Sequence, residues 1–292
     1  MMILDGNQVS ADIRKQIAQI VSERAPGSRP PCLVAILVGN DGASETYVSH
    51  KVKDCASVGY TSRLIRFEES VSQQTLMTTI EALNMDTEVD GMIVQLPLPK
   101  HIREEDIIEC IHPNKDVDGF HPKNTGRMMR NLPAHVSATP AGIIALLRAY
   151  DIETAGKHAV VIGRSAIVGS PVSILLARNS SPGNCTVTLC HSRTKDLSAF
   201  TLQADILVVA AGKMHLVQAD MVKPGAVVVD VGIHRISDPQ KTSGFRLTGD
   251  VNPDGLENVA SAFTPVPGGV GPMTRAMLLQ NTLNAWQQYY EH

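Results

Sequence analysis

The 292 residues are 43% hydrophobic and 4% aromatic, with a formal net charge of −3; this excludes disordered and fibrous classes and suits an aliphatic α/β protein long enough for two cores. The charge balance leaves no basic stripe for a nucleic-acid backbone, and apolar runs such as 33–38 are too short to cross a bilayer. The five cysteines form no C-x-x-C pair, which fits reduced thiols in a cytoplasm and points to neither bound metal nor disulfides.

The opening MMILDGNQVS has no basic stretch and no long apolar core, so no secretory signal is expected. Val9, Ile13, Ile17, Ile20 and Val21 then fall on one helical face that stops at Pro26-Gly27. Strands and helices alternate after it. Strands are expected at 32–38, 62–67 and 92–96, and helices at 44–58, 73–83 and 104–111, the order of a parallel α/β unit. The stretch 112–140 is rich in Pro, Asn and Gly and lacks periodicity, so it reads as irregular and ends in a domain boundary. Thr139 at an N-cap and Pro140 at the first helical position open the next helix.

AVVIGRSAIVG, residues 159–169, runs an apolar strand into a turn bounded by Gly163 and Gly169 that opens a helix. Such a turn lets backbone approach a pyrophosphate while helix-opening N–H groups face its charge; Arg164 and Ser165 add donors. The next strand, 185–190, ends in His191-Ser192-Arg193-Thr194-Lys195. A carboxylate there would repel a 2′-phosphate, whereas Ser192 and Arg193 attract one, so the expected cofactor is NADP. Strands at 206–210 and 226–231 complete a Rossmann-like doubly wound parallel sheet. The last helix is expected from Pro272, with Ala276, Leu279, Leu283 and Trp286 as an apolar stripe returning to the first domain. The domains are therefore expected as 1–138 plus 272–292, and 139–271.

Candidate chemistry lies in both halves. Val48, Val52, Cys55 and Ala56 set the apolar face of the 44–58 helix, so Tyr47 and Lys51 share its neighbouring edge while Lys53 points away. Gln95 sits at the end of the strand in GMIVQLPLP, where open α/β sheets bind ligands. KDVDGF fails as a calcium loop, because counting from Asp116 puts Phe120, His121 and Arg127 at positions five, six and twelve. A tight turn presenting one exposed carboxylate, Asp118, remains. TPVPGGVGPMT, residues 264–274, is either punctuation or a shaped ligand wall.

Together YVSHKVKDC, GMIVQLPLP, KDVDGF, GRSAIVGSP and TPVPGGVGPMT resemble, in order and along nearly the whole chain, the bifunctional methylenetetrahydrofolate dehydrogenase/cyclohydrolase family. The resemblance implies a two-domain cytoplasmic homodimer of one-carbon metabolism, supplying purine biosynthesis. It would oxidise 5,10-methylenetetrahydrofolate with NADP and hydrolyse the methenyl product to 10-formyltetrahydrofolate, one cleft serving both steps. It implies Lys51 as the catalytic amine, Tyr47 against the folate, Gln95 tuning Lys51, and Asp118 on the pterin. Pro267, Gly268 and Gly269 would border the substrate, and Ile233 in DVGIH would touch the cofactor. Ser137-Ala138-Thr139-Pro140 departs from the family's usual Pro-Cys-Thr-Pro. A monofunctional dehydrogenase, or a non-catalytic NADP-binding module, is the alternative expectation.

Overall fold

The structure, a computed structural model, describes residues 1–39, 42–241 and 244–290, with the side chains of 42–47 and 288–290 outside that description. The first half runs β1 (Met2–Ile3), α1 (Gly6–Ser22), β2 (Cys32–Val38), α2 (Gly42–Ser57), β3 (Thr61–Phe67), α3 (Gln73–Met85), β4 (Gly91–Val94), α4 (Glu104–Cys110) and α5 (Pro122–Met129). The second runs α6 (Ala138–Ala149), β5 (His158–Ile162), α7 (Gly169–Ala177), β6 (Thr186–Cys190), α8 (Leu197–Thr201), β7 (Ile206–Val209), β8 (Val227–Asp230), β9 (His234–Ser237), β10 (Phe245–Thr248), β11 (Ala262–Phe263) and α9 (Val270–Tyr290). The chain divides into a three-stranded unit, Ala11–Ala138 with Arg275–His292, and a six-stranded unit, Met1–Ser10 with Thr139–Thr274.

In the three-stranded unit β2 lies between β3 and β4, all parallel. Every residue of β2 is buried, because helices cover both faces and its side chains alternate between them. Leu33, Ala35 and Leu37 pack with Ile17, Val48, Cys55, Leu279, Leu283 and Trp286; Val34, Ile36 and Val38 pack with Leu76, Ile80 and Ile107 on the other side. The end of α9 thus belongs to this core, as its apolar stripe predicts. Two expected stripe positions do not bury: Ile20 and Ala56 are exposed, each at the margin of its helix face.

The six-stranded unit is a parallel sheet in the order β6-β5-β7-β8-β11-β1. Order reverses on either side of β5, the topological switch of a doubly wound fold. The contact division differs from the expected one in its first ten residues and at 272–274, both of which it assigns to the six-stranded unit. Met2 and Ile3 pair with Ala262 and Phe263 of β11, and Asn7 N donates to Gly268 O at 3.1 Å, so the chain start is held by this sheet.

α5, β1, β9 and β10 escape a periodicity reading for physical reasons. α5 lies inside the stretch expected to be irregular; it opens on Pro122, with His121 accepting from Lys123 N, and buries Met128 as its one large apolar residue. β1 is two residues long. The antiparallel pair β9 and β10 alternates weakly, with Arg235 lying 4.8 Å from the centre of the Phe245 ring. α6 begins at Ala138, one residue before the expected cap, and Thr139 Oγ1 instead lies 2.9 Å from Thr274 Oγ1. Among the described residues no helix is long and apolar enough to cross a membrane.

Candidate active site

The carboxyl ends of β2 and β4 deliver the first set of polar groups. α2 follows β2 and carries Lys51, while Gln95 follows β4 and is pinned by its N–H donating to Ile36 O at 2.9 Å. Lys51 Nζ donates to Gln95 Oε1 at 3.2 Å, and Gln95 Nε2 donates to Leu96 O at 2.8 Å. The amide is therefore fixed at both ends, with its oxygen committed to the amine. Both side chains are half-buried, whereas Lys53 is exposed. Tyr47 lies on α2, but its side chain falls outside the described residues. One turn after Lys51, burial and then Asp54 push the Cys55 thiol up to about 12, which removes it as a nucleophile.

The DVDG turn differs from its expected form. Asp116 is 2% exposed and its two oxygens accept from Gly119 N, Phe120 N, His121 N and Asn124 Nδ2. It is the clamp of the turn. Asp118 is half-buried rather than exposed, and lines a narrow crevice of about 10 Å³ with Met92, Leu96, Ile107 and Phe120. Burial raises its pKa most; Lys51 opposes that shift and Asp116 adds to it. Lys51 is the cation that favours the charged form of this carboxylate.

Gly119 holds φ +75°, and a Cβ there would meet Ser137 N at 2.5 Å, so the turn closes only around glycine. Asn281 secures it from α9, donating to Val117 O and Val136 O, both at 2.9 Å. Neither Asp116 nor Asn281 stood out in the sequence: Asp116 is the first of two acids in a short motif, and Asn281 one polar position on a helix.

The other predicted residues lie in the six-stranded unit, at its switch point. Gly163 follows β5 with φ +114°, and a side chain would strike Ala210 O just past β7; a side chain at Gly169 would strike Gly163 O. Ser165 Oγ accepts from Val168 N at 3.2 Å and Gly169 N at 3.4 Å, which leaves its own proton to donate. After β6, His191 Nδ1 accepts from Arg193 N at 3.2 Å, and Ser192 and Arg193 are exposed, as are Arg164 and Ser165. No ion pair engages Arg164 or Arg193 among the described residues. A glycine-bounded turn, a helix start and guanidinium groups without ion pairs among the described residues fit a phosphorylated dinucleotide.

Ile233 is 45% exposed beside a polar cluster that the sequence did not single out. His234 Nε2 meets Asp250 Oδ1 at 2.7 Å, and Asp250 Oδ2 accepts from Ala211 N and Gly212 N. Asp230 accepts from Gly232 N, Asp250 N and Val251 N, yet burial raises its pKa to about 6. These carboxylates shape the loops after β7 and β8. Pro267 is exposed, Gly268 half-buried and Gly269 buried; Gly269 N donates to Pro265 O at 2.8 Å within this same unit.

Family comparison covers both halves of the chain. The tetrahydrofolate dehydrogenase/cyclohydrolase catalytic domain matches residues 4–118, and the NAD(P)-binding domain of the same family matches residues 137–290. The chain belongs to this family. A bifunctional protein FolD of Porphyromonas gingivalis is 55% identical over 289 residues, covering 99% of this chain and 98% of its own. The solved bifunctional methylenetetrahydrofolate dehydrogenase/cyclohydrolase of Campylobacter jejuni superposes with a TM-score of 0.93 at 44% identity, over 99% of each chain. The Trypanosoma brucei methylenetetrahydrofolate dehydrogenase-cyclohydrolase, solved with NADP and an inhibitor, gives a TM-score of 0.93 at 37% identity, covering 99% of this chain and 98% of its own. With both family domains present, this tetrahydrofolate dehydrogenase/cyclohydrolase is an enzyme of two activities.

Proposed function

We propose that the chain oxidises 5,10-methylenetetrahydrofolate with NADP and hydrolyses the 5,10-methenyl cation to 10-formyltetrahydrofolate, with Lys51 serving the hydrolytic step. The observation that carries this reading is the hydrogen bond from Lys51 to an amide that Leu96 holds from behind. When bound, NADP supplies the hydride acceptor. The chain's own residues do the rest.

Asp118, half-buried in its crevice, offers an acceptor to the N–H edge of a pterin, and the positive charge of Lys51 favours its ionised form. Lys51 orients the attacking water against the methenyl carbon, while Gln95 fixes where the amine points. Tyr47, four residues before Lys51 on the same helix, would lie against the folate. Gly163 and Gly169 bring backbone against the pyrophosphate; Arg164, Ser165, Ser192 and Arg193 take the phosphates, and Ile233 offers an apolar contact.

The same reading makes the enzyme a cytoplasmic homodimer that acts on reduced folate and not on nucleic acid. A net charge of −3 supports the last point. The test is to supply purified protein with 5,10-methylenetetrahydrofolate and NADP. Absorbance of NADPH followed by 10-formyltetrahydrofolate is expected; NADP binding with no folate turnover would leave only a cofactor-binding module.

A further inference from the structure

We propose that a cavity under α5 is a second binding site, selective for a compact, doubly charged oxyanion of the phosphate class. It measures about 270 Å³ and shares no lining residue with the Asp118 crevice. Lys123 and Arg127, one turn apart on α5, form one wall; Asn114, Asn124 and His135 form much of the rest. Prolines and one alanine supply its apolar surface, and no Phe, Tyr or Trp lines it, so it offers no large ring face to a pterin or an adenine.

The cationic groups are placed and uncompensated. Arg127 Nε donates to Pro133 O at 2.7 Å, which fixes the guanidinium and leaves its two terminal nitrogens as a fork for oxyanion oxygens. Neither Arg127 nor Lys123 pairs with a carboxylate among the described residues, and no carboxylate lines the cavity. Asp116 lies behind the wall, its Oδ2 accepting from Asn124 Nδ2 at 2.8 Å, and does not itself line the cavity. His135 is 5% exposed, with Nε2 on Asn114 O at 3.0 Å, so a buried polar group backs the cavity. Next to Pro113, the His112 imidazole has its pKa lowered, by burial first and then by Lys123, Lys115 and His121. A doubly charged anion is what Lys123 and the Arg127 fork would hold.

The test uses the full chain, isotope-labelled, with inorganic phosphate as probe at constant ionic strength balanced by chloride. Amide and imidazole resonances of Asn114 and His135 localise binding to this cavity and away from Arg193. Saturable shifts are expected for phosphate and absent for chloride. Lys123→Gln and Arg127→Lys, the second keeping charge but losing the fork, should each weaken binding about tenfold. Glutarate run in parallel separates a phosphate-bearing ligand from a dicarboxylate, and the site is proposed to prefer phosphate. Shifts that do not saturate, that chloride reproduces, that glutarate evokes more tightly, or that survive both substitutions would overturn the proposal. No arm requires folate or NADP, so the outcome stands apart from the enzymatic reading.

Discussion

Asp118 illustrates how one side chain is set by its neighbours. Burial raises its pKa and Lys51 opposes that shift, so the carboxylate is available as an acceptor only beside its cation. Asp118→Asn should therefore raise the KM for folate by about tenfold, with a smaller change in kcat; a variant with unchanged KM would remove Asp118 from the substrate. In the other unit, the exposed guanidinium of Arg193 is expected to bind the 2′-phosphate. Arg193→Gln should raise the KM for NADP about tenfold and leave that for NAD alone. An equal rise for both cofactors would deny it that role. The positions of Lys51 on a helix, Gln95 at a strand end and Arg193 in a loop after a strand follow from local pattern, which by itself assigns them no role. Asp116 and Asn281 were not legible, since their value lies in partners reached only through the fold: four donors for one, two carbonyls on another segment for the other.

At the scale of elements, what the sequence disclosed follows from pattern strength. β2 is one unbroken apolar run and α9 a long stripe, so both are read directly; β1 with two residues and α5 with one large buried apolar side chain give no periodic signal. The DVDG turn between β4 and α5 depends on a glycine that the motif contains but whose necessity only the close approach of Ser137 N explains. Gly119→Ala forces a Cβ into that backbone at φ +75° and should cost about 1–3 kcal/mol. Urea denaturation checks this: a lowered midpoint is expected, and an unshifted one would mean that the turn yields.

For the molecule as a whole, the same parallel logic is used twice, once around β2 and once around β5, and each switch point carries its own residues. Residues 1–10 join the six-stranded unit through a two-residue strand and the loop at Gly268, contacts that leave no periodic signal in the sequence. Stability also carries a pH signature. Folding raises the Asp230 pKa to about 6 from about 3.9 in an unfolded chain. Between those values the folded state holds the extra proton. The associated stability is full below the lower value and lost as pH rises through the upper one, by at most about 1.4 kcal/mol per unit. Urea melts between about pH 4 and pH 7 should find Asp230→Asn less pH-dependent than the parent in that direction; an identical or steeper decline would contradict the linkage.

The amine held by Gln95 is proposed to serve hydrolysis and not to be needed for hydride transfer. Both rates measured on Lys51→Gln separate the two steps. NADPH formation from 5,10-methylenetetrahydrofolate should persist while conversion of the methenyl compound to 10-formyltetrahydrofolate is abolished. Retention of both activities to the same degree would contradict that proposal.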